Sequence, residues 1–419
     1  MGKNGRHDRI YGIVAVFIAV IISVSLSGCG EGKNSKPQVS LSLWTDKSNI
    51  DLMNQMVDEF CREHEAEADI HVTISKESEL TCKETVLANP EGAADIFTFA
   101  DDQFEDLRKN GALLEITKDA GTVIEENGGG NNGAVLASQK DGKLFAYPVT
   151  AGNGYFLYYN ADYFTKEDVK SMDRILKVAE ENKKYVMMDF SSGWYIYSFF
   201  KAAGLEVNAN EEHTQNDCNW NTTDHKYRGI DVAEGMLAIA RSKGFKNGND
   251  DDFIEGVQNG SIIAGINGPW NAAKVEKAFG KSYAATKLPT YTLAGEQIQM
   301  CSFAGYKLIG VNAHTKNPEW AMKMAHFITN EKNQLRRFSL TGECPSNVKA
   351  AASEEVQKSP AIAALAKQAE YGSVQRVCNS FWTPTNVFGM VIANGNKDNK
   401  DLQGLLDKMV QGITAISDS

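Results

Sequence analysis

From Val39 onward the chain switches hydrophobic period repeatedly, from two to about 3.6 and back, and that alternation restricts it to few architectures. "VSLSLW" (39–44) alternates as a strand, and "IDLMNQMVDEFC" (50–61) then places Met53, Met56, Val57 and Phe60 on one helical face. The strand "DIHVTIS", the helix "CKETVLA", the strand "ADIFTF" and the helix "DDQFEDLRKNG" follow, the last with Gly111 where a C-terminal cap belongs. Strands alternating with helices predict an α/β layer on a mostly parallel sheet. Ligands of such sheets collect at the carboxyl ends of strands, so the segments just beyond them matter most: "WTDKSN", "FTFADDQF" and "NGPWN".

The second half repeats the pattern. "KLFAYPVTAGNGYFLYYN" (143–160) reads as two strands joined through "TAGNG", a suitable crossing into a second domain. Beyond it come the helix around "MDRILKVAEEN", the strand "KYVMMDF", the helix "WYIYSFFKAAG", a polar insert, the helix "GIDVAEGMLAIARSKG" and the unit "SIIAGINGPW". In that unit "SIIAGI" is an apolar strand, Asn267 and Gly268 turn the chain, and Pro269 suits the first turn of the helix that follows. "YKLIGVNAH" and "PEWAMKMAHFIT" read as one more strand and helix, "TGECPSN" breaks the pattern, and residues from about 350 to 419 read as all helix. Roughly 380 residues exceed the comfortable size of one core and argue for two domains.

The start of the chain is different. Lys3, Arg6 and Arg9 precede the nearly uncharged "IYGIVAVFIAVIISVSL" (10–26), and small residues follow, which is the layout of an export signal. An uncleaved membrane anchor is the alternative, since the run approaches the roughly 18 residues that span a bilayer. On either reading the body lies outside the cytoplasmic membrane, with "GEGKNSKPQ" as a flexible tether.

Loss of residues 1–28 takes the formal charge from −11 to −13, because Lys3, Arg6, Arg9 and Asp8 go with them. So acidic a body is repelled by nucleic acid and by anionic lipid, which leaves neutral solutes and proteins as partners. Cys61, Cys82, Cys218, Cys301, Cys344 and Cys378 are scattered, with neither a CxxC pair nor a Cys/His cluster, so no metal or cofactor is expected; outside the cytoplasm some could pair, with a connectivity the sequence does not give, and the default reading is free, mostly buried thiols.

"GKLFAYPV", "YYN", "NGSIIAGINGPW", "KLPT", "GVNAHTKNPEWAMKMAHFIT" and "SFW" occur in the order found in the maltose-binding-protein family, the extracellular oligosaccharide-binding proteins of ABC importers, and nearly the whole mature chain resembles that family. "LSGC" (26–29) likewise resembles a lipobox, which implies cleavage before Cys29 and a lipid on it, anchoring the protein to the outer face of the membrane. The resemblance implies two α/β lobes joined by two or three crossing segments, with a cleft between them. The expected division is 1–28 signal, 29–38 tether, lobe I from 39–151 and 303–347, and lobe II from 155–300 and 350–419.

The family also implies site residues. Trp270 would be a wall on which a sugar stacks: a pyranose has a face of C–H bonds that suits an aromatic ring and a rim of hydroxyls that needs hydrogen-bond partners. Trp382 matches a late aromatic in the helical tail, and Trp194 or Tyr195 matches another before a helix. Phe99 stands where the family often has Trp. Asp102 reads as a hydroxyl acceptor or simply as a helix N-terminal cap, and Gln103 replaces the family's Arg. Asp46 and Lys47 match a hydroxyl-binding pair, against a plain solvated turn. The family's cleft glutamate has no clear equivalent in "TAGNG", where Asn153 is the substitute.

The expected function is that of a non-enzymatic monomeric binding protein that captures an oligosaccharide, a maltodextrin first, and hands it to a membrane permease. A secreted carbohydrate-active enzyme also combines aromatics with carboxylates, but no G-x-S-x-G or H-E-x-x-H is present. A binder of another solute class is the remaining alternative. An anionic solute would want Arg in the cleft, and the candidate segments offer Lys47 as their cation.

Overall fold

A computed structural model describes residues 36–210 and 214–416. The signal stretch 1–28, Cys29 and most of the tether lie outside the described residues. Ten strands build two five-stranded sheets. They are β1 (Gln38–Thr45), β2 (Asp69–Lys76), β3 (Ile96–Ala100), β4 (Ala146–Pro148), β5 (Phe156–Asn160), β6 (Tyr185–Met188), β7 (Phe245–Asn247), β8 (Ile262–Asn267), β9 (Tyr283–Thr286) and β10 (Lys307–Val311).

The first sheet runs β2-β1-β3-β10-β4 and the second β7-β6-β8-β5-β9. Each carries its own apolar interior. Leu43, Met53, Phe60, Ile96 and Ile309 meet beneath the first sheet, while Leu157, Ile175, Phe190, Ile196 and Ile263 meet beneath the second. The molecule is therefore two-lobed.

The sheets are mixed rather than mostly parallel, with two parallel and two antiparallel pairings in each. The reason is the route of the chain. β5 enters the second sheet directly from β4, and β10 returns to the first sheet from the second; each incoming strand takes the fourth place and lies antiparallel to both neighbours. A crossing strand arrives without the helix that a parallel neighbour requires.

Three segments cross between the lobes side by side. Residues 149–155 follow β4, Ser302–Ala304 precedes β10, and a third strand, Gly372–Val374, pairs in parallel with Ser302–Ala304. Val149 N donates to Lys307 O at 2.9 Å, Asn153 N to Gly305 O at 2.7 Å and Gln375 N to Ala304 O at 2.9 Å. The middle segment is thus bonded on both flanks. This third strand corrects the all-helix reading of residues 350–419: three residues are too few to show a period.

The tail beyond it does fold as helices, Trp382–Ala393 and Leu402–Ile413, laid on the second lobe. The polar insert holds an antiparallel pair, Val207–Ala209 with Asn216–Cys218, and then Trp220, which is fully buried and stacked on Phe200 at 4.1 Å. The six cysteines of the described body are free, Cys82 and Cys378 buried and the others partly so.

Candidate functional site

The turn after β8 explains its own composition. Gly268 is required because a β-carbon there would lie 2.0 Å from the Trp270 ring, which folds back over the backbone. Pro269 opens a short 3-10 turn, and Trp270 Nε1 donates to Asp250 Oδ2 at 2.6 Å. Asp250 also accepts from Asn267 Nδ2 at 2.8 Å, so the indole is held from its edge while remaining partly exposed.

The middle crossing segment, Phe303–Lys307, ties the other candidates to this tryptophan. Phe303 stacks on Trp194 at 5.3 Å and lies 5.9 Å from Phe381, which in turn packs edge-on to Trp382 at 4.9 Å. Tyr306 N donates to Asp101 Oδ1 at 2.8 Å, and Gln375, bonded through its backbone to Ala304, donates its side-chain amide to Asp102. The Lys307 ammonium lies 5.6 Å from the centre of the Trp270 ring. Four residue steps span at most about 14 Å, so Trp194, Asp102 and Trp270 border one short stretch of backbone. Asn153 joins the same group through its bond to Gly305.

Two buried polar atoms at this seam have no partner: Asp102 Oδ1 and Trp194 Nε1. One accepts and the other donates, and each orphan costs free energy until something bonds it. Burial, with the charge of Asp101 second, pushes the Asp102 carboxyl up to about 7, Lys83 opposing. Asp101 is also raised by burial, against the pull of Arg376, whose guanidinium bonds it at 3.1 Å. Lys83 donates to Asp106 at 2.8 Å and to Asn379 at 3.1 Å, and Asn379 donates to Glu84 at 2.7 Å. Residues 375–379 therefore bond the edge of the first lobe at four points.

Phe99 is fully buried in β3 beside Phe97, against Gly310 of β10, so it is core and offers no face to a ligand. Gln103 is buried too, its amide spent on Lys83 N at 2.8 Å and Glu79 O at 2.6 Å. Tyr195 is 6% exposed and packs on Tyr155 at 5.0 Å. Asp46 accepts from Ser48 N and Oγ at 3.0 Å, capping a 3-10 turn, and Lys47 is exposed. Among the described residues no group of three or more His, Cys, Asp or Glu is placed to hold a metal. A cavity of about 300 Å³ lined by His64, Tyr147 and His326 draws on the first lobe alone and includes no candidate residue.

Sequence reasoning missed Asp250, Gln375, Arg376, Glu79, Lys307 and Glu343. Apart from the Arg337–Glu343 pair, six residues apart, the partners that place them lie 17 to 275 residues away, and no local period marks such pairs.

A family model described as bacterial extracellular solute-binding protein matches residues 55–364. The galactooligosaccharide-binding protein of Bacillus subtilis (strain 168) is 26% identical over 409 residues, 91% of this chain and 92% of its own. The maltodextrin-binding protein MdxE of the same organism is 27% identical over 373 residues, 85% of each. Among solved structures, the maltodextrin-binding protein MalE1 from L. casei BL23 without ligand superposes with a TM-score of 0.69 at 25% identity, covering 90% of this chain and 99% of that one.

Proposed function

Because the chain belongs to the bacterial extracellular solute-binding proteins, which bind substrates rather than transform them, we propose that it captures oligosaccharides in the seam between its lobes and delivers them to an ABC permease. It is an extracellular sugar-binding component of the ABC-importer type. The lobes are taken as 39–151 with 303–347 and 155–300 with 350–419. Maltooligosaccharides are the first substrate of this reading, and galactooligosaccharides, bound by the first relative described, are its nearest competitor. A lipid on Cys29 would hold the protein at the outer face of the membrane.

One observation carries the reading: the stretch Phe303–Lys307 is bordered by half-buried indoles, Trp194 and Trp270, and by a buried carboxylate oxygen that lacks a donor. Indole faces suit the C–H faces of pyranose rings, and the orphaned Asp102 oxygen and Trp194 N–H suit a hydroxyl, which both donates and accepts. The arrangement suits an uncharged polyol chain. Sugar touching both lobes stabilises the closed form by its differential affinity for it.

Titration calorimetry with maltose, maltotriose, maltotetraose and β-galactooligosaccharides tests this. A saturable heat with one series and a weaker one with the other assigns the substrate. Heat with neither series would refute the sugar-binding reading. Trp270→Ala removes a stacking wall and should weaken binding at least tenfold.

A further inference from the structure

Beyond the aromatic walls the seam contains a buried ionic cluster. The Lys307 ammonium contacts Glu79 at 2.9 Å and Glu343 at 2.5 Å, and Glu343 also accepts from Arg337 at 3.2 Å. These side chains are 2% to 12% exposed. Burial pulls the Lys307 pKa down, but Glu343 and Glu79 outweigh it and hold the amine protonated. The cluster draws its members from three places. Glu79 follows β2 in the first sheet, Lys307 begins β10 where the crossing segments meet, and Glu343 follows the helix Glu331–Thr341, whose C-cap Gly342 lies against the Pro269 carbonyl and Ala272.

Lys307 is also bonded through its backbone to the first crossing segment, donating to Thr150 Oγ1 at 3.0 Å and accepting from Val149 N at 2.9 Å. The same residue is therefore fixed to the joint at its backbone, to both carboxylates at its tip, and to the π-face region of Trp270 at 5.6 Å. A desolvated cation within about 6 Å of an indole is attracted to it.

Resting on the sugar-binding reading above, we infer that Lys307 is a positioning residue: it holds Trp270 against the joint, so that the stacking wall is set only when the two lobes are in register. Glu79 and Glu343 are its counter-charges, and they keep the ammonium from swinging away to solvent. The residue touches the wall rather than the sugar, so its effect on binding passes through Trp270.

The test is a double-mutant cycle on the full chain, Lys307→Met with Trp270→Ala, read by titration with the tightest-binding oligosaccharide. Lys307→Met alone should weaken binding about tenfold, Lys307→Arg should restore most of it, and in the Trp270→Ala background Lys307→Met should cost less than twofold. Equal losses in both backgrounds would overturn the inference. Should Lys307→Met not fold, Lys307→Met with Glu79→Gln carries the same measurement, because it removes the cation together with one counter-charge and leaves Glu343 with Arg337.

Tryptophan emission without ligand decides the contact independently. Lys307→Met should change the spectrum in the wild-type background and leave it unchanged in Trp270→Ala. A spectrum unchanged in the wild-type background overturns the inference even where no sugar binds, and loss of sugar binding by the wild-type protein counts against the substrate reading alone.

Discussion

A single methyl group at position 268 would displace the tryptophan that the seam is built around, since an added β-carbon falls 2.0 Å from its ring. Gly268→Ala must therefore turn Trp270 away from Asp250, and it should weaken oligosaccharide binding at least tenfold and cost about 1–3 kcal/mol of stability, measured by calorimetry and thermal melting. Asp102 gives a second expectation, with a sign. Its carboxyl titrates near 7 in the folded chain, raised by burial and by Asp101, and near 3.9 unfolded. From about pH 4 to pH 7 the native state holds a proton that the unfolded state lacks, so this group's contribution to stability falls as pH rises through that window and is level above it. Asp102→Asn has no such proton, and it gains on the wild type as pH rises from 4 to 8. The ceiling is about 4 kcal/mol, three units at 1.36 kcal/mol each; a melting-temperature difference that does not vary with pH would contradict it. Trp270, Asp102 and Trp194 could be proposed from the sequence because each follows a strand or opens a helix in a quotable motif. Phe99 and Gln103 were misread because alignment to a family position says nothing of which way a side chain faces.

At the level of elements, the alternating periods located most strands and helices, and the helix Cys82–Ala88 and the helix Pro318–Thr329 match the sequence reading residue for residue. What the periods could not show was length-limited or paired at a distance. Gly372–Val374 is three residues long and exists because Ser302–Ala304 lies beside it. Trp220 sits in a polar stretch, yet it is buried because Phe200 and Phe381 supply its surroundings from other elements. The tail helix Trp382–Ala393 depends on an equally close approach. A β-carbon on Gly389 would lie 2.0 Å from the Phe190 carbonyl oxygen. Gly389→Ala should push this helix, with Trp382 at its start, off the second lobe, lowering stability by about 1–3 kcal/mol. Thermal melting checks the first effect and sugar titration the second; a variant that melts with the wild type would show that the helix is not held so closely.

For the whole molecule, the acidic balance, the division into two lobes and the crossing at 149–155 were all readable in the chain, whereas the count of crossings was not. The proposed closure on sugar implies that small-angle scattering in saturating ligand gives a smaller radius of gyration than without ligand, and an unchanged value would argue against lobe movement. The joint itself limits what that movement can be. With two connections, one body can wring as well as fold relative to the other. Here the central rail, Ser302–Lys307, is laced to Val149–Asn153 on one flank and to Gly372–Gln375 on the other, and a laced ribbon of three rails bends across its width far more readily than it twists. On the proposed reading the protein would swing like a book on its spine, and a membrane transporter waiting for the shut volume would meet the same pair of covers at the same angle whichever sugar lay between the pages.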